Sequence, residues 1–156
     1  MVLYFAYGTN LLISQIRERL EKPCLEPLFV AYLPNKTLIF PRVSQIQKGG
    51  VASFGNAQGK KLWGVVFELS EEGIKTLDRF EGYKNGRKTN SYERKTVTVF
   101  DCKKNGMNVI TYEANKTGNF TPSNQYMSKI IKGALECGLP VDYIDELKQI
   151  STNEES

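Results

Sequence analysis

The sequence contains no histidine in 156 residues. This excludes Ser-His-Asp and Cys-His nucleophilic machinery, imidazole general bases and metal sites that need a histidine ligand. Any acid–base chemistry must fall to carboxylates, tyrosine, lysine, cysteine or the backbone. Cysteine is scarce too: Cys24, Cys102 and Cys137 are odd in number, widely spaced and form no CxxC. That pattern fits reduced thiols in the cytoplasm better than a disulfide framework or a zinc site. With no imidazole to activate them, they read as buried or neutral thiols. Long apolar runs are missing as well. The N-terminal MVLYFAY is cut short by Gly8, and nothing approaches the ~20 residues of a membrane span. Neither a signal peptide nor membrane contact is expected. Nor does charge of one sign dominate: 21 Lys and Arg against 17 Asp and Glu give +4. The surplus sits in scattered pairs such as Lys60-Lys61 and Lys103-Lys104, which make no case for nucleic acid.

What is present describes an ordinary globular chain. The 40% hydrophobic and 24% charged fractions suit one domain over residues 1–150, followed by a polar, frayed tail at 151–156. Strand-like runs fill the first two-thirds. Val2–Tyr7 and Leu62–Leu69 are near-continuous apolar runs, as buried strands are. Leu28–Leu33 and Lys36–Phe40 flank Pro34-Asn35 and read as a hairpin. Tyr92–Asp101 alternates cleanly and pairs with Met107–Ala114 across an Asn105-Gly106 turn. Residues 45–61 are glycine-rich and read as loops around one short strand at Val51–Phe54. Helical spacing marks Leu11–Leu20, Ser70–Phe80 behind an N-cap Ser70, and Ser123–Cys137 stopped by Gly138 and Pro140. A short helix over Val141–Ile150 follows. The resulting class is α+β.

Two places carry chemistry on local grounds. At Tyr7-Gly8-Thr9-Asn10-Leu11-Leu12 a buried strand runs into a glycine and then a helix. Backbone N–H groups at such a junction can hold a carboxylate or an oxyanion. The same residues also fit a plain helix cap by Thr9 or Asn10. The second place is Glu81, seven residues after Ile74 and four after Leu77. Seven helical steps bring it back to within ~20° of Ile74, so a carboxylate is aimed into the apolar face at a helix C-terminus. Burial and the helix dipole both raise its pKa towards the value a base working near neutrality needs. A helix that frays at Phe80 would instead leave Glu81 in solvent. Asp78 is the nearest competitor and lies in a less apolar direction. Tyr126, in the first turn of its helix, fits packing or ligand contact.

A resemblance joins these places. Tyr4-Phe5-Ala6-Tyr7-Gly8-Thr9-Asn10-Leu11 is similar to the N-terminal signature of the gamma-glutamylcyclotransferase (AIG2-like) family. Trp63-Gly64-Val65-Val66-Phe67 resembles a later strand of that family. Leu77-Asp78-Arg79-Phe80-Glu81-Gly82 resembles the segment that holds its catalytic glutamate. Ser123-Asn124-Gln125-Tyr126, Gly133-Ala134 and Gly138-Leu139-Pro140 resemble the C-terminal helix of its glutathione-type members. The matches run in order from about residue 3 to residue 150.

The resemblance implies a small closed mixed β-barrel with helices packed outside and a pocket at one mouth. It implies Glu81 as general acid/base, and Tyr7, Gly8, Thr9, Asn10, Leu11, Leu12 and Tyr126 around a γ-glutamyl substrate. It also implies intramolecular release of 5-oxoproline with no metal or cofactor. Thr9 departs from the family's usual serine, keeping the hydroxyl and adding a methyl. The loop over residues 83–92 lies beside the implied base and is placed to influence access or leaving-group choice. Some members are homodimers, so a homodimer is among the states allowed. The same core would also serve a γ-glutamyl-amine, a γ-glutamyl-protected intermediate, or a non-catalytic module that only binds γ-glutamyl ligands.

Overall fold

A computed structural model describes residues 1–153 of the chain. Five strands close into one barrel in the order β1-β3-β2-β4-β5. They are β1 (Val2–Ala6), β2 (Phe29–Ser44), β3 (Gly49–Leu69), β4 (Tyr92–Asp101) and β5 (Gly106–Ala114). Neighbours pair antiparallel except where β1 meets β5, parallel at Tyr4 and Ile110. That one parallel contact makes the barrel mixed and removes its free edge. Four helices pack outside: α1 (Ile13–Leu20), α2 (Glu71–Phe80), α3 (Asn124–Cys137) and α4 (Val141–Lys148). Phe5, Leu62, Val65, Val66, Phe67 and Val99 form the dry core with Leu11, Ile74, Leu77 and Ile130 from the helical side. Among the described residues no helix is long and apolar enough to cross a membrane.

Helix ends follow the sequence closely, because their signals are local. The Ser70 hydroxyl accepts from Gly73 N at 3.0 Å and the Ser123 hydroxyl from Tyr126 N at 3.1 Å; these are ordinary N-caps. Gly138 closes α3 in the left-handed conformation at φ 73°. The first expected helix divides into a 3₁₀ turn over Thr9–Leu11 and then α1.

The β2–β3 pair differs from expectation. Pro34-Asn35 is no hairpin turn: β2 runs straight through it. Across the ladder, residues 57–60 of β3 bulge opposite Asn35, whose side-chain oxygen accepts from Gly59 N at 2.9 Å. The true turn is residues 45–48, joining Ser44 to Gly49. The stretch at 49–61, expected as loops around one short strand at Val51–Phe54, is strand throughout. Gly49 and Gly50 answer to crowding: a Cβ on Gly49 would stand 2.7 Å from the Thr121 carbonyl, and one on Gly50 2.8 Å from Phe40 Cβ. Past α4, Asn153 N donates to the Pro122 carbonyl and its side chain to that of Lys48, each at 2.9 Å. Residues 154–156 of the expected tail lie outside the described residues.

Candidate active site

A cavity of about 610 Å³ opens at one mouth of the barrel, within the range of small-molecule sites. Glu81 reaches it from the end of α2. Ile74 and Leu77 bury the inner face of that helix, and a Schellman pair closes it: Tyr83 N donates to the Asp78 carbonyl at 2.8 Å and Gly82 N to that of Arg79 at 3.3 Å. Gly82, at φ 68°, supplies the left-handed residue this closure needs. The helix therefore does not fray at Phe80. Asp78, one turn back, is held elsewhere, accepting from the Tyr112 hydroxyl and pairing with Arg94, each at 2.6 Å. That pairing anchors α2 to β4 and β5 and leaves Glu81 as the carboxylate facing the cavity.

Glu81 keeps some surface open to the cavity, yet protein atoms surround its carboxyl. Burial lifts its pKa from 4.5 to about 7, with the nearby Arg19 charge offsetting part of the rise. Both forms are populated near neutrality, as proton transfer in two directions requires.

Five tyrosines line the same cavity: Tyr4, Tyr7, Tyr92, Tyr112 and Tyr126. Their hydroxyl protons divide them. Tyr7 donates to the Tyr112 carbonyl, Tyr112 to Asp78, and Tyr92 to the Ala52 carbonyl at 2.6 Å. Tyr4 and Tyr126 instead accept, from Asn10 Nδ2 at 3.0 Å and from Ala52 N at 2.9 Å. A phenol that accepts one bond still has a proton to donate, so these two hydroxyls are the donors available to a ligand. Burial holds both pKa values well above the ordinary tyrosine value, and the Glu81 charge adds to the rise. Both therefore stay protonated at neutral pH. Ala52 sits where Phe40 and Pro41 of β2 face a single residue of β3, and Tyr92 and Tyr126 hold the two polar groups of this one residue.

The turn after β1 splits into two layers. Gly8 and Thr9 line the cavity with Tyr7, whereas Asn10, Leu11 and Leu12 lie behind it. Leu11 and Leu12 direct their N–H groups to the Gly8 and Thr9 carbonyls at 3.0 and 2.9 Å. The N–H groups of the first residues of the 3₁₀ turn have no acceptor within it. Buried Asn10 braces the turn. Its oxygen accepts from Gln15 at 3.2 Å and Arg19 at 3.1 Å, and because arginine can only donate, its amide nitrogen must face Tyr4. Gln15 also donates to the Thr9 hydroxyl at 2.7 Å. From outside, α3 presses on the turn at Gly133, where a Cβ would stand 2.4 Å from the Leu11 carbonyl carbon.

Sequence reasoning missed several residues at the cavity. Tyr4, Tyr92 and Tyr112 are strand residues that only closure of the barrel brings together, although five of the chain's eight tyrosines meeting in one cavity is a signal a histidine-free sequence offers. Arg19, Arg42 and Arg79 also line it. Of the 83–92 loop, only Ser91 and Tyr92 reach the cavity. Buried Asn90 pins that loop by accepting from Lys84 N and Arg87 at 3.0 and 2.7 Å. Cys24 and Cys102 are exposed, and half-buried Cys137 points at the Leu11 carbonyl. Among the described residues no group of three or more Cys, Asp or Glu is placed to hold a metal ion.

A closed five-stranded barrel whose mouth holds one enclosed carboxylate, ringed by tyrosine hydroxyls and a glycine turn, defines a small-ligand site of a particular class. Comparison with known proteins gives that class its family. A model described as the AIG2-like family matches residues 61–147. Gamma-glutamylcyclotransferases of Homo sapiens and Mus musculus are 35% and 36% identical, each alignment covering 97% of this chain and 80% of the relative. A solved gamma-glutamyl cyclotransferase superposes with a TM-score of 0.89 at 33% identity, over 99% of this chain and 90% of that one. The chain belongs to the gamma-glutamylcyclotransferase/AIG2-like family.

Proposed function

We propose that the protein converts a γ-glutamyl amide to 5-oxoproline and a free amine, with Glu81 moving the proton. The carrying observation is a carboxyl lifted to about 7 in a cavity that offers two phenol donors and a backbone turn. The substrate brings its own nucleophile, the α-amine. Ionised Glu81 takes a proton from the α-ammonium, and the freed nitrogen attacks the γ-carbonyl carbon. The five-membered ring closes as the carbonyl becomes an oxyanion. Collapse of that intermediate breaks the bond to the leaving nitrogen, which receives the proton from Glu81. The ring nitrogen gives up its second N–H proton as the neutral lactam forms, and the departing amine takes one up to leave as an ammonium, so the protons balance and the carboxylate is regenerated.

Holding the amine against the carbonyl is worth an effective molarity of about 10⁵–10⁸ M, so the chain need supply only orientation, charge stabilisation and proton transfer. The Gly8–Thr9 backbone at the cavity and the Tyr4 and Tyr126 hydroxyls are suited to the α-carboxylate and the oxyanion. Family membership supports this reading, as do the two placements the resemblance implied for Glu81 and Tyr126.

Mass-spectrometric detection of 5-oxoproline after incubation with γ-glutamyl-alanine and a γ-glutamyl alkylamine tests the proposal. Glu81→Gln is expected to lose about 10²–10⁴-fold in rate and still bind ligand. A panel of γ-glutamyl amides yielding no product would refute it, and near-normal turnover by the variant would remove Glu81 from its role.

A further inference from the structure

The charged lining of the cavity is lopsided. It consists of Arg19, Arg42, Arg79 and Glu81, which is +3 − 1 = +2 with Glu81 ionised. Among the described residues the salt bridges are Arg17–Glu26 and Arg94–Asp78, so none of the three cavity arginines is neutralised by a carboxylate. A γ-glutamyl group is itself zwitterionic, with one α-carboxylate and one α-ammonium, and adds no net charge. An uncharged leaving amine would therefore leave the excess cation unanswered.

The three arginines are held differently. Arg19 belongs to the inner end: it donates to Asn10 at 3.1 Å, stacks over Phe80 at 4.9 Å, and its charge is felt at Glu81. Arg79 is exposed on the outside of α2 and donates to the Thr76 hydroxyl at 3.2 Å. Arg42 stands on the Tyr92 side, on the last residues of β2 before the turn, where its charge is felt at the Tyr92 hydroxyl. One of its terminal nitrogens donates to the Asn115 carbonyl at 2.9 Å, which fixes the guanidinium. Its remaining donors form the planar fork that grips a carboxylate with two parallel bonds. Next to it Val43 and Ile46, 56% and 89% exposed, line the same mouth as bare apolar surface.

We propose that Arg42 selects the leaving group, gripping a carboxylate on the departing amine while Val43 and Ile46 receive its side chain. This inference rests on the cyclotransfer reading above and adds a residue to it. With the γ-glutamyl end against Glu81 and the Gly8–Asn10 turn, the departing amine extends towards the mouth, where the pinned guanidinium stands. A leaving amine without a carboxylate loses that grip.

The test compares kcat/KM for γ-glutamyl-alanine and γ-glutamyl-alaninamide, which differ only in carboxylate against carboxamide. The wild-type protein is expected to favour the carboxylate by about 10- to 100-fold, the size of one charge-assisted contact. Arg42→Gln is expected to abolish the preference by losing rate on γ-glutamyl-alanine alone, with the alaninamide unchanged within about threefold. Arg42→Lys, which keeps charge without the fork, is expected to fall between. Equal kcat/KM for both substrates in the wild type would overturn the assignment while leaving cyclotransfer intact. So would an Arg42→Gln variant that loses equally on both. Absence of 5-oxoproline from either substrate in the wild type would overturn the cyclotransfer reading, and the role of Arg42 with it.

Discussion

Glu81 should cost the protein stability at neutral pH and above, and the size of that cost follows from its surroundings. Burial raises its pKa from 4.5 to about 7, so the folded state holds the proton across a range in which the unfolded chain has released it. Below pH 4.5 both states are protonated and the folded state has its full advantage. From pH 4.5 to 7 stability falls by about 1.4 kcal/mol per pH unit, because the unfolded chain binds fewer protons. Above pH 7 both states are ionised and the loss is complete, at about 3 kcal/mol. Glu81→Gln carries no titrating group and escapes the loss.

Urea unfolding of wild type and Glu81→Gln at pH 5 and pH 8.5 isolates this one ionisation, since every other titrating group is common to both. The variant should gain about 3 kcal/mol on the wild type between the two conditions. For a chain of this size that is about 6–12 °C in Tm. The kcat/KM of the wild type should move the opposite way, rising through a midpoint near pH 7 as the base form appears. A stability gap constant within about 0.5 kcal/mol between the two pH values would refute the burial argument. A rate profile flat from pH 5.5 to 8 would refute Glu81 as the proton acceptor even if the stability gap changed as expected.

Three other substitutions probe how the site is held. Gly133→Ala places a Cβ 2.5 Å from Leu12 N, so α3 must retreat from the turn it braces; a loss of about 1–3 kcal/mol in urea and a raised KM are expected, and a wild-type midpoint would show that the helix yields freely. Asp78→Asn removes the charge that Arg94 and Tyr112 share, with an expected loss of about 2–4 kcal/mol, read by urea unfolding. Tyr126→Phe strips the Ala52 N–H of its acceptor and the cavity of a donor. It should cost about 1–3 kcal/mol of stability and lower kcat/KM, and an unchanged rate would exclude Tyr126 from the reaction.

Legibility in the sequence tracked the distance over which each feature is decided. The end of α2 is local: Ser70 caps it and Gly82 closes it, so the apolar stripe placed Glu81 on the inner face correctly. The β2–β3 pair is not local. Gly49 and Gly50 read as loop residues in isolation, but they are glycine because Thr121 and Phe120, about 70 residues later, lie against them. Pro34-Asn35 carries real turn chemistry, which the fold uses to answer a bulge in the opposite strand.

The site shows the same division. Glu81 and the glycine turn stand on short segments with recognisable neighbours. The tyrosines and arginines arrive singly from different strands and helices, and no spacing links Tyr4 to Tyr92 or Arg19 to Arg42. Even the donor capacity of Tyr4 is decided by Arg19, which fixes the Asn10 amide through a bond nine residues away. In a chain without histidine, what makes a carboxylate useful near neutrality is how deeply the closed barrel encloses it. That depth belongs to the assembled fold, so the sequence could indicate where the carboxylate stands but not how far its pKa is raised.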